Sequence, residues 1–176
     1  MIELGERQAP LSELEIVQNP ALGAFALWHF GLGFQSEAAT PASFPLTFLV
    51  LPLIFHKKTL DFVSSTRPAS GLLLFAAKLA EEREALLAVH ERAILLRPLT
   101  LQSIAFGITT GLLSLNYERA ELRANIPEKR KKPVVPQRIK GVSGAAEKLG
   151  RWFSRVSFVQ IVTALLQTSS TGVQNL

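Results

Sequence analysis

The stretch "AAEKLGRWFSRVSFVQIVTALLQ", residues 145–167, joins a basic, aromatic first half to a second half without charge. Leu149 and Phe153 recur at the i, i+4 spacing of one helical face. Ser157 followed by Gln160 makes an S-x-x-Q capping box, so a second helix is predicted to begin directly after a tight break. The stretch therefore predicts two helices whose apolar faces pack on the rest of the chain or on a partner.

The adjacent aromatic pair Trp152-Phe153 leaves two alternatives open. Neighbouring helical residues point about 100° apart, so either one ring packs inward while the other meets a neighbour, or the rings line two sides of one large core. Aromatic anchors are typical of interfaces, so Trp152, Phe153 and Phe158 are candidate partner-contact residues. Basic residues of the same helix fall on another side and are predicted to stay in water: Lys148, Arg151 and Arg155.

The composition predicts a large partner-facing surface or a membrane. The chain has 176 residues, enough for one compact domain, with 48% hydrophobic and 19% charged residues, whereas about a quarter charged is usual. A spanning helix needs about 20 apolar residues. The most apolar run, 44–55, is shorter and contains Pro52, and the run 99–115 is interrupted by polar residues. We therefore expect a partner surface rather than a membrane span.

The compartment is predicted to be the cytoplasm. The first residues, "MIELGERQAPLSELE", are acidic and polar, unlike a signal peptide. The chain has no cysteine, which excludes disulfides and thiolate metal sites and fits the cytosol. A net charge of +5 and a sequence pI of about 9.9 favour contact with polyanions.

The first half of the chain predicts helices separated by short loops. Asn19-Pro20 is an N-cap followed by a residue suited to the first helical position. Gly31 and Gly33 are predicted to close this first helix, and residues 36–43 are predicted to form a loop.

The central segments are also predicted to be helical. Residues 44–65 are apolar all round at first, which predicts a buried helix bent or ended near Pro52. Residues 71–98 predict one or two helices that end at Pro98, and Thr100 is the predicted cap of the helix that follows.

Residues 113–124 change period and predict a small β-hairpin with its turn at 116–119, since apolar and polar side chains alternate there. The predicted fold class is mainly α: a compact helical domain with a small β-hairpin, for which a winged-helix-like arrangement is one option. The predicted organisation is a helical core ending in the hairpin (1–126), a basic proline-rich loop (127–141), a C-terminal helix pair packed on the core (142–168) and a polar tail (169–176).

The sequence argues against an enzyme. His29, His56 and His90 lie in separate segments with no acidic partner at ligand spacing, so a metal or catalytic role has no companion residue. The acidic cluster at 81–84 is typical of a solvated helix face. No phosphate-binding G-x-x-x-x-G-K-[ST] loop occurs. We therefore predict no catalytic residues, no metal and no cofactor.

A basic run within the proline-rich loop is the candidate DNA contact. Such a run tracks a phosphate backbone through charge, without reading bases. The alternative is a solvated loop that happens to be basic. The candidate residues are Lys129, Arg130, Lys131, Lys132, Arg138 and Lys140.

Four segments in order resemble the middle component of three-component ABC systems: "QNPALGAFALWHFGLGF", "FPLTFLVLPLIFHKKT", "HERAILLRPLTLQSIAFGITTGLLSL" and "AAEKLGRWFSRVSFVQIVTALL". The resemblance covers roughly residues 14 to 168 and rests on the colinear set, not on any one motif. The chain departs from the pattern at Leu60-Asp61, where an Arg is frequent, and at Leu74-Phe75, where a Trp is frequent.

The resemblance implies a non-catalytic subunit that sits with an SMC-like ABC ATPase and an effector, for which a nuclease is one option, as in Lamassu-type antiphage defence. This subunit would then help to couple DNA sensing by the complex to the effector. One rival is an autonomous winged-helix DNA-binding regulator. It requires a polar, basic recognition helix, whereas the helix "TLQSIAFGITTGLL" is apolar. Another is an interfacial membrane protein, which requires a charged face opposite residues 44–55.

Overall fold

The computed structural model describes residues 19–81, 83–126 and 139–166. Within these ranges the chain forms eight α-helices and a three-stranded antiparallel sheet of order β1-β3-β2, which confirms the mainly-α prediction. The helices are α1 (Pro20–Ala38), α2 (Thr47–Ile54), α3 (Lys57–Ser65), α4 (Gly71–Glu81), α5 (Arg83–Leu95), α6 (Arg97–Thr109), α7 (Lys140–Ser154) and α8 (Phe158–Leu166). The strands are β1 (Ala42–Ser43), β2 (Leu113–Asn116) and β3 (Glu121–Ala124).

The first helix begins as predicted but does not end as predicted. The Asn19 side chain accepts a hydrogen bond from the Leu22 amide at 2.9 Å, and the helix then runs to Ala38. The predicted stop at Gly31 and Gly33 is therefore wrong. These glycines lie where other elements approach α1: a Cβ on Gly31 would meet the Ala124 side chain at 2.7 Å.

The crossing of α1 and α7 brings two helix backbones into contact. A Cβ on Gly33 would lie 2.8 Å from the carbonyl carbon of Glu147, and one on Gly150 would lie 2.7 Å from the amide nitrogen of Phe34. Interhelical distance depends on the side chains at the contact. Because each helix has a glycine where the other approaches, α7 is seated directly on α1.

The hairpin predicted at 113–124 is confirmed, with β2 and β3 paired from Leu113↔Ala124 to Asn116↔Glu121. The predicted loop over 36–43 is wrong at both ends, because α1 continues to Ala38 and Ala42-Ser43 pairs with β3 as a third strand. A two-residue strand is too short to show any alternation, so pairing with β3 alone defines it.

Side chains of α1 hold the sheet in place. The Gln35 amide accepts from the Ala124 amide at 2.6 Å and donates to its carbonyl at 3.0 Å. The Trp28 indole donates to the Asn125 carbonyl at 2.8 Å. The sheet is therefore hydrogen-bonded to one side of α1, while α7 packs across that helix at Gly33.

The helix breaks between α2 and α6 follow proline chemistry. Pro52 lies in the last turn of α2, which ends at Ile54, as predicted. Pro98 lies in the first turn of α6, a position that its fixed φ favours, so it begins a helix rather than only ending one. The predicted cap at Thr100 is wrong: its hydroxyl is buried inside α6 and donates to the Leu96 carbonyl at 3.0 Å.

The break between α7 and α8 is the predicted capping box. The Ser157 amide donates to the Gln160 side chain at 2.8 Å, and the Gln160 amide donates to the Ser157 hydroxyl at 3.2 Å. Both exchanged bonds satisfy amides that a helix start leaves unpaired. They fix the direction in which α8 leaves α7.

Candidate partner-docking surface

Both rings of the Trp152-Phe153 pair lie in the core, so the two-sided core is the alternative that the structure adopts. Each side chain is 1% exposed. Phe153 packs edge-on against Phe30 of α1 at 5.6 Å between ring centroids, and Trp152 packs against Phe75 of α4 at 5.7 Å. The structure does not support Trp152 and Phe153 as partner-contact residues, because both side chains are buried against neighbouring helices and present no surface to a partner.

The expectation that the basic residues of α7 stay in water is wrong for Lys148. Its ammonium donates to the carbonyls of Val63, Ser64 and Thr66 at 2.9–3.0 Å, where α3 ends. Burial lowers the pKa of Lys148 from its ordinary value. Three acceptors match the three N–H donors of the charged form, so this side chain ties α3 to α7.

Arg151 of α7 and Arg155, which directly follows this helix, make partly exposed ion pairs. Arg151 bonds Glu147 one turn earlier at 2.6 Å, and Arg155 bonds Glu37 of α1 at 3.1 Å. Pairs of this kind contribute about 0–1 kcal/mol each. Because Trp152 and Phe153 are buried, Phe158 is the exposed member of the predicted contact set, with 47% of its surface accessible.

Phe158 lies on the wall of an apolar groove of about 570 Å³ between the start of α2, the end of α5, the start of α6, and α8. Its other large apolar walls include Phe48, Ile94 and Leu101. Ile94 is 65% exposed and Leu101 is 44% exposed. We call this feature the α5–α8 groove. The predicted contact residue Phe158 is one of its lining residues.

Sequence reasoning missed the α5 wall of this groove, although a signal was present. Four consecutive apolar residues, 93–96, span most of the circumference of a helix, so they cannot all face one core. Leu96 is buried, while Ile94 and Leu95 are exposed. An unbroken apolar run at the end of a helix that also carries charged residues therefore indicated an apolar surface.

A second, polar cleft of about 810 Å³ lies between the end of α1 and the hairpin. Its charged walls mix both signs, with Glu118 and Glu121 beside Arg119 and Arg123. Carboxylates beside the guanidinium groups disfavour a phosphate. The hairpin therefore lacks the uniformly basic face of a DNA-contacting wing.

His29 lies near an acidic group, with its Nδ1 3.7 Å from Glu147 Oε2. Burial lowers the pKa of His29, and the nearby Glu147 carboxylate opposes that shift. Glu147 is already bonded to Arg151. Over residues 19–81, 83–126 and 139–166, no group of three or more potential metal-ligating side chains comes together.

The basic candidates for DNA contact fall largely outside the described residues. Lys129, Arg130, Lys131, Lys132 and Arg138 all lie there. Lys140 is described: it is the first residue of α7 and is exposed. Helix α7 thus begins inside the segment 127–141 that was predicted to be loop.

In the part of the chain that the structure describes, no helix combines the length and hydropathy needed to cross a membrane. The apolar excess of the sequence lies partly in the core around α1 and α7 and partly at the surface. A sequence comparison matches residues 8–166 to the family described as ABC-three component (ABC-3C) system Middle Component 3. The chain belongs to this family. No curated protein matches it, and no solved structure matches it.

Membership confirms the resemblance at the level of the ABC-3C middle component. The match begins and ends within a few residues of the predicted extent of 14 to 168. A middle component is an accessory subunit that works with the other components of its system. For this middle component the exposed, partly apolar α5–α8 groove is the described feature best suited to meet another protein.

Proposed function

We propose that this middle component is a non-catalytic subunit of a Lamassu-type antiphage complex in the cytoplasm, where it bridges an SMC-like ABC ATPase and an effector. The observation that carries the proposal is the α5–α8 groove, with Phe158, Ile94 and Leu101 exposed on one surface. Contiguous apolar surface of this kind is typical of protein contacts.

Direct DNA contact is a second part of the proposal. The basic residues at 129–132, with Arg138 and Lys140, supply sequence-independent charge for a phosphate backbone. Within the complex they would add to DNA affinity without reading bases.

An autonomous winged-helix regulator fits less well. The helix before the hairpin would have to read bases, and this helix is α6. Its outer side exposes Leu101, Phe106 and Ile108, whereas base reading needs polar side chains directed at base edges.

Co-expression with the ATPase and the third component of the same system tests the subunit role. We expect the three proteins to elute together, and the isolated chain to aggregate or form loose oligomers. A stable, monodisperse monomer by light scattering that binds neither component would refute the subunit role.

The DNA part is tested on the purified complex. Replacing Lys129, Arg130, Lys131 and Lys132 by Gln should weaken DNA binding about equally across sequences and flatten its salt dependence. Unchanged affinity at two salt concentrations would show that the loop is only solvated.

A further inference from the structure

We propose that the α5–α8 groove receives an amphipathic helix of a partner subunit, with an apolar ridge on the helix and acidic residues along its edge. The inference rests on the proposed function, because it requires a partner within the complex. It adds the secondary structure and the charge of the segment that docks.

Three helices contribute large apolar side chains to the groove: Phe48 from α2, Ile94 from α5 and Phe158 from α8. An amphipathic helix places apolar side chains at i, i+3, i+4 and i+7 spacing into an apolar groove. A volume of about 570 Å³ falls within the range of concave sites that bury a compact apolar group.

Among the described residues, the exposure pattern of α8 shows that this helix lines the groove without filling it. Ile161 and Leu165 of α8 are fully buried, while Phe158 is 47% exposed and lines the groove together with the half-buried Val162. Helix α8 therefore packs on the core with one stripe and supplies a groove wall with another. It carries no ionisable residue, so that wall offers a partner only apolar and uncharged polar contacts.

The charge of the groove determines the charge of its occupant. Among the described residues that line it, the ionisable side chains are His90 and Arg97, and none is a carboxylate. Both His90 and Arg97 are exposed and lie on the α5–α6 side. A complementary partner places Asp or Glu beside Arg97, since opposite charges across an interface raise the association rate and set the register.

The same charges disfavour a second copy of this chain as the occupant. In a symmetric contact the same patch meets itself. Two copies of Arg97 would then share one contact with no carboxylate from either groove. A different protein with acidic residues satisfies the guanidinium group, so we assign the groove to a partner subunit.

The first experiment compares two exposed aliphatic residues in the purified three-component complex. Ile94→Asp places a carboxylate in the groove, whereas Leu73→Asp is the matched control, because Leu73 is 63% exposed on α4 and does not line the groove. We expect Ile94→Asp to weaken binding to one partner at least tenfold and Leu73→Asp to leave it within about twofold of wild type. Equal binding by both variants would overturn the proposal.

The second experiment tests charge. Arg97 lies in the first turn of α6, where a carboxylate favours the helix, so Arg97→Glu should fold as well as wild type. We expect Arg97→Glu to bind the partner at least tenfold more weakly and to lose the salt dependence of wild-type association. An unchanged affinity and salt dependence would refute the acidic occupant.

The third experiment identifies the occupant. Phe158 is replaced by the photoreactive p-benzoylphenylalanine, and the cross-linked peptide is mapped by mass spectrometry. We expect a segment of the ATPase or the effector with apolar residues at helical spacing and flanking Asp or Glu. Cross-links to a second copy, to a basic or extended segment, or to no protein would each overturn the proposal.

These outcomes separate the inference from the proposed function. If wild type fails to assemble with either component, the subunit role falls and the docking proposal falls with it. If wild type assembles but the groove variants bind normally, the subunit role stands and only the docking proposal is refuted.

Discussion

Two glycine-to-alanine substitutions on α7 should change stability in opposite directions. Gly150 faces α1, and an added Cβ would lie 2.7 Å from the Phe34 amide nitrogen and closer still to the Phe30 carbonyl oxygen. Gly144 lies on the same helix, and an added Cβ there meets nothing within 4 Å. The same methyl group is thus added to one helix at a packed and at an open position.

The expected magnitudes follow from two effects. Alanine in place of glycine in a helix interior stabilises by about 0.5–1 kcal/mol, and this gain applies to both variants. Overpacking costs about 1–3 kcal/mol, and Gly150→Ala should reach the upper end because backbone atoms cannot rotate away. We therefore expect Gly144→Ala to gain about 0.5–1 kcal/mol and Gly150→Ala to lose about 2 kcal/mol net.

Thermal unfolding followed by circular dichroism at low protein concentration measures both changes. For a chain of this size, 1 kcal/mol shifts Tm by about 2–4 °C. Gly144→Ala should then raise Tm by about 1–4 °C and Gly150→Ala should lower it by about 4–8 °C. Equal increases for both variants would show that the α1–α7 backbones are not in contact at Gly150, and the packing argument would fail.

Trp152→Ala should lower the free energy of unfolding by about 3–5 kcal/mol because it empties a core site. Phe158→Ala should change the free energy of unfolding by less than about 1 kcal/mol because that ring is exposed. Urea titrations measure both values, and similar losses for the two variants would contradict the burial of Trp152. Lys148→Met should lower the free energy of unfolding by about 1–3 kcal/mol, because the partly buried carbonyls at the end of α3 lose their donor. Hydrogen exchange of the amides at the end of α3 should increase, and unchanged exchange would contradict this role of Lys148. Burial lowers the pKa of His29 below its ordinary value of 6.5, so the unfolded chain binds the proton more tightly. Wild-type stability should therefore be complete above pH 6.5 and fall below it more steeply than that of His29→Gln; parallel pH profiles would count against this.

The predictions that held depend on signals confined to a few neighbouring residues. The Asn19 cap, the hairpin at 113–124 and the Ser157–Gln160 capping box each satisfy backbone groups within the same short segment. Such interactions involve no distant segment, so the local sequence is enough to predict them. The family resemblance was likewise readable, because it rests on the order of segments along the chain.

The predictions that failed depend on what another segment supplies. Gly31 and Gly33 fit a helix stop in sequence, but β3 and α7 approach α1 there, so small residues permit packing. Lys148 fits a solvated helix face, but the end of α3, more than 80 residues earlier, presents three carbonyl acceptors.

The sequence by itself determined that this is a mainly helical chain with a hairpin, a capped final helix pair and more apolar surface than one small domain needs. Only the tertiary structure decided where that surface lies. Trp152 and Phe153 are enclosed because α4 and α1 pack on two sides of α7, whereas Phe158 and Ile94 stay exposed. Burial is a property of the elements that surround a side chain, so the spacing of apolar residues along one helix cannot fix it.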